Sequence, residues 1–431
     1  MTHFGIIAPS TTGHLNAMLP IGQELQKRGH LVTFLGILDV QATVIAAGLS
    51  FRAIGEQEFP LGTNKKNFNE LGKLKGLEAL KYTIKFVKNE AVVMLQESPS
   101  YIRELNIQAL LVDQVSSYGG TIADYLNIPF ITICNAVVLN REPSVPPFNT
   151  SWAYAPSWVG ILRNKLGYQL LNVATKSITE TINEFRQQHN LPLHTHPNQR
   201  YSQLAQISQA PPEFEFPRQK LPPHLHFTGP YHSASSRQAI SFPFDKLTGQ
   251  PLVYASMGTL QNKLLNVFAD IAEACADFDV QLVISLGGAS KPEDLPPLKG
   301  NPLVVTYAPQ LEILPRATMM ITHAGMNTAM ECLTNGVPMV AIPVANDQPG
   351  VAARIAWTGC GEAIPVKQLN VKDLKVAIQK VLTNPSYKEN ALRLQKAIAA
   401  SGGVSRAADI IEQAIATGKP VLKTNDCLNR L

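Results

Sequence analysis

Two groups of polar residues interrupt an otherwise apolar alternation of strands and helices. In the first, His14 follows a strand-like run within Pro9-Ser-Thr-Thr-Gly-His14, and Asp113 ends a second apolar run, Ala109-Leu-Leu-Val-Asp113. Ligands of open parallel α/β sheets bind outside the carboxyl ends of the strands, so both side chains can meet at one sheet edge. An imidazole there can take a proton from a hydroxyl, and a carboxylate beside it fixes the ring tautomer and stabilises the imidazolium. Taken singly, each residue has a plainer use as a cap of its own helix or turn. The second group spans Tyr307, Ala308 and Gln310, then Thr322-His-Ala-Gly-Met-Asn-Thr-Ala-Met-Glu331, then Gly336-Val-Pro338 and Asp347-Gln348. The run Met319 to Thr322 reads as a strand ending at His323, and Ala324-Gly325 turns the chain into a helix over about Asn327 to Asn335, stopped by Gly336. His323, Gly325, Asn327 and Thr328 therefore crowd one helix N-terminus. Free backbone N–H groups and the helix dipole favour an anion there, and Gly325 lets a diphosphate approach the backbone. Glu331 lies one turn further along the same face, placed to accept two ribose hydroxyls. A nucleotide-sugar pocket is the chemistry this pattern serves. The loop Ser256-Met-Gly-Thr259 also joins strand to helix, so Gly258 and Thr259 can offer donors to a β-phosphate.

These residues need parallel sheets to carry them, and the chain supplies two. In the first half, Phe4 to Ala8, a strand from Leu31, Ala109 to Asp113 and Pro129 to Cys134 alternate with helices such as Leu15 to Arg28. In the second, Leu252 to Ser256, Gln281 to Ser285, Leu303 to Thr306, Met319 to Thr322 and Met339 to Ile342 repeat the pattern. Such runs imply βαβ units. The fold class expected is α/β, with two Rossmann-like domains facing across a cleft. The expected boundaries are 1–230 for an acceptor-binding domain, 231–250 for a linker, 251–404 for a donor-binding domain and 405–431 for a returning helix and tail. The Pro-, Ser- and aromatic-rich stretch from Pro211 to Gln250 shows little periodicity, as a connection should. Ser405 reads as the cap of the last helix.

At 431 residues, with 45% apolar and 16% charged residues, the chain fits two ordinary domains with large buried sheets. A net charge of +5 without a compact basic block gives no case for nucleic acid. Five scattered cysteines, an odd number, read as free thiols in a reducing cytoplasm. No signal peptide is visible at Met1 to Pro9, and no stretch offers about 18 continuous apolar residues for a spanning helix.

Leu77, Leu80, Ile84, Val87, Ala91, Met94 and Leu95 fall on one helical stripe bordered by Lys81, Lys85 and Lys88. The plain reading is a packed core helix. The sharper one is that residues 61–95, with a flexible Leu61 to Gly76 segment, meet a membrane surface or a lipidic acceptor. No metal is expected. Asp277-Phe-Asp279 precedes a strand at the sheet's amino end, and the pairs His194/His196 and His224/His226 lie in Pro-rich segments without nearby Cys or carboxylate ligands.

The stretch from Tyr307 to Gln348 resembles the donor-binding signature of family 1 glycosyltransferases that use UDP-sugars, enzymes of the GT-B fold. The resemblance implies that Tyr307 stacks on the uracil, where plant members carry Trp, and that Gln310 contacts the ribose. It further implies that His323, Asn327 and Thr328 hold the diphosphate, Glu331 the ribose diol, and Asp347 with Gln348 the hydroxyls of the hexose. Gly13-His14 is similar to the family's N-terminal Gly-His, Asp113 to its partner aspartate, and Ser256 to Thr259 to its short phosphate loop. Leu139 to Pro143, Leu204 to Gln209, Glu215 to Arg218 and Asp347 to Ala352 are similar to one branch, the bacterial zeaxanthin glucosyltransferases. That implies inverting, metal-independent transfer of glucose from UDP-glucose to a xanthophyll hydroxyl, with the UDP-sugar as co-substrate and no cofactor.

Other acceptors stay open at this stage: a flavonoid, a sterol or a polyketide. So do a catalytically silent UDP-sugar-binding module and a dehydrogenase, although neither domain offers a Gly-x-Gly-x-x-Gly turn.

Overall fold

The computed structural model describes residues 1–72, 74, 76–232, 240–258, 264–288 and 290–423, with the side chain of Leu77 also outside the description. The first sheet contains β1 (His3–Ile7), β2 (Leu31–Gly36), β3 (Ser50–Ala53), β4 (Ala109–Asp113), β5 (Phe130–Cys134), β6 (Gln206–Ser208) and β7 (Leu225–Phe227), in the order β3-β2-β1-β4-β5-β6-β7. The second contains β8 (Leu252–Ser256), β9 (Gln281–Ser285), β10 (Leu303–Val305), β11 (Ala317–Thr322), β12 (Met339–Ala341) and β13 (Gly361–Ala363), in the order β10-β9-β8-β11-β12-β13. Every pairing is parallel. Central strands β4 and β8 are buried throughout, as continuous apolar runs must be when helices cover both faces.

The first sheet is covered by α1 (Thr12–Lys27), α2 (Gln41–Ala46), α3 (Thr63–Leu71), α4 (Gly76–Glu104), α5 (Gly119–Leu126) and α6 (Trp158–Gln188). The second carries α7 (Leu265–Cys275), α8 (Gln310–Ile313), α9 (Met326–Thr334), α10 (Gln348–Trp357), α11 (Val371–Thr383) and α12 (Pro385–Ala399). A last helix, α13 (Gly403–Thr417), returns to pack on α1. There Arg28 bonds Asp409 at 2.8 Å and Glu412 at 2.7 Å, and His30 bonds Glu412 at 2.9 Å.

In each sheet the strand order reverses beside the first strand, at β1/β4 and at β8/β11. Crevices open at such switch points because successive crossovers leave in opposite directions. His14 follows β1 and Asp113 ends β4, while Gly258 follows β8 and His323 follows β11. Both polar groups therefore occupy switch points.

Several details differ from the sequence reading. Strands β3, β6, β7 and β13 carry three or four residues each, too few to show a period, and β7 lies within the stretch expected to be a connection. The segment expected to be flexible contains α3, whose start is held by Asp39 through the backbone N–H of Gly62 at 2.9 Å and by Asn64 bonding the Ser10 carbonyl at 2.6 Å. Ser405 does not cap α13. The cap position is Gly402, which is left-handed, and the Ser405 hydroxyl and carbonyl instead accept from Arg28. The stripe on α4 follows the plain reading for most of its length: Ala91, Met94 and Leu95 are buried, and Ile84 and Val87 pack against the same core.

Candidate active site

His14 stands in the first turn of α1, and its Nδ1 lies 2.6 Å from Asp113 Oδ2. Asp113 is fully buried, and its carboxylate also accepts from Asn135 Nδ2 at 2.7 Å and from the Val115 N–H at 2.9 Å. A carboxylate facing Nδ1 makes that nitrogen the protonated one, which leaves Nε2 as the basic nitrogen. Burial opposes charging of the ring, but the neighbouring Asp113 carboxylate outweighs it, with smaller help from Asp347 and Glu90, and the His14 pKa lies above its ordinary value.

Glu90 of α4 and Asp347 at the head of α10 thus share the electrostatic neighbourhood of His14. Glu90 accepts a hydrogen bond from the Tyr118 hydroxyl at 3.1 Å, and burial raises its carboxyl to about 7. Burial likewise raises Asp347, while His14 pulls it the other way. Neither Glu90 nor Tyr118 stands out from the sequence alone, because a glutamate amid a lysine-edged helix looks like surface charge.

Across the cleft, β11 runs into a tight turn where Ala324, a non-glycine residue, takes φ +64° and is fully buried. L-residues with a Cβ seldom adopt that conformation, and such strain concentrates where backbone must be aimed. The turn's N–H is held by Thr322 Oγ1 at 3.2 Å. The His323 ring sits between Gly258 and Gly325: a Cβ on either would come within 2.6 Å of the imidazole. Burial depresses the His323 pKa to about 4 against a bond to the Ser256 backbone, so the ring is neutral at physiological pH.

Where α8 meets α9, Gln310 Nε2 donates to Glu331 Oε2 at 2.6 Å and to Thr328 Oγ1 at 3.3 Å, with Glu331 buried. Ala308 is buried beside them, and Tyr307 is 40% exposed, presenting its ring at the rim near Gly288. The sequence-predicted residues Tyr307, Ala308, Gln310, Thr328 and Glu331 thus lie together on α8, α9 and the turn before them. Asn327 also starts α9, but its side chain is committed. Its Nδ2 donates to the Gly13 carbonyl at 2.6 Å and its Oδ1 accepts from Gln209 at 2.9 Å, joining the start of α9 to that of α1. Gln348 turns its oxygen inward to the N–H groups of Val344 at 2.9 Å and Ala345 at 3.1 Å, which leaves its amide nitrogen for a ligand. Thr259 lies outside the described residues, as does Cys427.

The second domain is moored beside this cleft. Arg354 of α10 bonds Glu215 at 2.5 Å and lies 4.3 Å over the Phe216 ring, and the Gly350 position packs so closely on the Phe148 carbonyl that no Cβ fits.

The residues set aside as metal ligands have other work. Asp277 pairs with Lys375 and Asp279 accepts from Gln250 at 2.8 Å, both in the α7–β9 turn at the sheet's amino end. His226 bonds the Val421 carbonyl at 2.8 Å, and His196 accepts from the Asn198 N–H at 3.2 Å. A separate cavity of about 470 Å³ between Phe130, Arg186, His194 and Tyr201 contains neither His14 and Asp113 nor any residue of the α8–α9 cluster.

With this geometry in view, the comparison with known sequences is decisive: residues 6–399 match the family model "UDP-glucoronosyl and UDP-glucosyl transferase". The chain belongs to that family. As a UDP-glycosyltransferase it is 32% identical over 425 residues to a zeaxanthin glucosyltransferase of Pantoea ananas, covering 98% of each chain. It is 30% identical to a zeaxanthin glucosyltransferase of Pseudescherichia vulneris, over 98% of this chain and 100% of the other. Among solved structures, the glycotransferase of kitacinnamycin superposes with a TM-score of 0.75 over 96% of this chain and 99% of that one, at 23% identity. The fold of this UDP-glycosyltransferase is accordingly GT-B, with two parallel-sheet Rossmann-like domains.

Proposed function

We propose that this UDP-glycosyltransferase moves glucose from UDP-glucose to a hydroxyl of a xanthophyll such as zeaxanthin, with inversion and without a metal ion or other cofactor. The observation that carries the mechanism is the 2.6 Å bond from His14 Nδ1 to a buried Asp113, with Asp347 of the other domain in the same electrostatic neighbourhood. In this reading Nε2 of His14 takes the acceptor's O–H proton as that oxygen bonds to the anomeric carbon. The bond from that carbon to the β-phosphate oxygen breaks on the opposite face, and UDP leaves with the electron pair. Asp113 stabilises the resulting imidazolium.

The donor's parts find complementary groups. Tyr307 offers an aromatic face for the base, and Gln310 with Glu331 a donor and acceptor for the ribose. Gly258, His323, Gly325, Asn327 and Thr328, at the loop after β8 and the start of α9, suit the diphosphate, and the reading gives Thr259 the same partner. Asp347 and the Gln348 amide suit hexose hydroxyls. Backbone N–H groups at a helix start already favour the charge that develops on departing UDP, which supports a metal-independent route.

The acceptor assignment is supported by the two bacterial relatives named for zeaxanthin glucosylation. A carotenoid dissolves in lipid, so a cytoplasmic enzyme must draw it from a membrane surface. The segment 61–95 offers exposed Lys65, Lys66, Lys81 and Lys85 for such peripheral contact.

Purified protein incubated with UDP-glucose and zeaxanthin in detergent micelles tests this reading. Expected are UDP release and glycosylated zeaxanthin, followed together by chromatography and mass spectrometry. UDP release with some other acceptor alone would reject the carotenoid.

A further inference from the structure

Helix α6 has its polarity reversed over its first half. The side facing the protein carries Gly160 against Ala155, Asn164 bonding the Pro143 carbonyl at 3.0 Å, Gly167 against Trp152, and Tyr168 bonding the Val145 carbonyl at 3.2 Å. The side facing solvent carries Trp158, Val159, Leu162, Leu166, Leu170 and Val173, each between 50% and 76% exposed. At 100° per residue these six fall on one stripe, opposite the packed face. From Ile178 onward the normal arrangement resumes, with Ile178 and Ile182 buried in the first-domain core. An apolar ridge of this length on a water-exposed helix marks an interaction surface.

We propose that this ridge is a docking face for an anionic lipid bilayer, on which α6 lies flat. The charges bordering the stripe select that occupant. From Trp158 to Thr179 the charged residues are Arg163, Lys165 and Lys176, and the first acid is Glu180. Neighbouring α4, which packs on α6, adds exposed Lys81 and Lys85. An apolar stripe edged by cations over Trp158 to Thr179, with a tryptophan at one end and its first acid at the other, where Glu180 pairs with Lys176 at 3.5 Å, is the composition that settles into a negatively charged membrane interface. A second copy of the chain is the competing occupant, and oligomeric state distinguishes it. The inference builds on the lipid-dissolved acceptor proposed above, and it gives that acceptor a route: the ridge belongs to the domain that carries His14.

The test is cosedimentation of the whole protein with large unilamellar vesicles of phosphatidylcholine containing phosphatidylglycerol. The wild type is compared with the triple variant Leu166→Glu, Leu170→Glu, Val173→Glu, whose side chains leave no cavity in the core. Wild type is expected to pellet with these vesicles and the triple variant to bind at least about tenfold more weakly. On pure phosphatidylcholine the wild type is expected to bind more weakly as well, and vesicle addition should blue-shift tryptophan emission less in Trp158→Phe. Equal pelleting of both proteins would overturn the proposal. So would a wild type that elutes as a dimer from size-exclusion chromatography, fails to pellet, and becomes monomeric in the triple variant. Transfer to zeaxanthin in detergent micelles separates the two ideas: the triple variant should match the wild type there, and a wild type inactive with that acceptor would indict the acceptor and not the ridge.

Discussion

Arg354 of α10 donates to Glu215 across the domain boundary at 2.5 Å, and both side chains are buried. Arg218 approaches the same carboxylate at 3.4 Å, so one acid balances two guanidinium groups. Burial disfavours the Glu215 charge, but Arg218 and Arg354 outweigh it and hold the carboxyl below the usual range. The pair's contribution is therefore present at neutral pH and is lost only as pH falls through that lowered pKa. Removing the acid strands two buried cations. Glu215→Gln is expected to lower stability by about 3–5 kcal/mol, and Arg354→Met by less because Arg218 remains. Urea denaturation followed by tryptophan fluorescence measures both, and equal losses would contradict the shared-acid arrangement.

His14→Ala is expected to lower turnover about 10²- to 10⁴-fold while UDP still binds, the signature of a lost general base. The base acts in its neutral form, so kcat/KM should fall as pH drops through the raised pKa of His14. Asp113→Asn removes the largest influence raising that pKa. Its acidic limb should move to lower pH while the plateau rate also drops, because the tautomer is no longer held. A pH–rate profile of the two proteins decides this; coincident limbs would remove Asp113 from the role.

Glu90 provides a finer probe. Its carboxyl sits at about 7, and when ionised it raises His14. Glu90→Gln keeps a partner for the Tyr118 hydroxyl but removes the charge. The acidic limb should sharpen and shift toward lower pH with little change in the plateau, since the wild-type limb reports two coupled groups. A plateau that collapses would instead point to a structural role.

Glu331→Ala leaves the Gln310 amide without its 2.6 Å acceptor and removes the proposed ribose contact. UDP affinity measured by calorimetry is expected to weaken by about 1–3 kcal/mol. Unaltered affinity would dissociate Glu331 from the donor.

The two Rossmann-like domains and the grouping of most of the candidate donor residues were legible because their signals are local. A strand, a tight turn and a helix start sit within a few residues of one another from Met319 to Glu331, so the positions of His323, Thr328 and Glu331 followed from periodicity. The His14–Asp113 contact was legible for another reason: adjacent strands of a parallel sheet end at the same edge. What escaped was tertiary. Glu215 and Arg354 are 139 positions apart, and nothing local marks either as a partner. Glu90 and Asn135 acquire meaning only once α4 and β5 are set beside Asp113. The reversed face of α6 also went unread, because a stripe of leucines on a helix ordinarily signifies core.

Asn327 joins Gly13 and Gln209, so the starts of α1 and α9 are clasped through one side chain. The turn that carries His14 and the turn that carries His323 are thereby held in one hydrogen-bonded register through a single amide, so neither helix start can shift without the other.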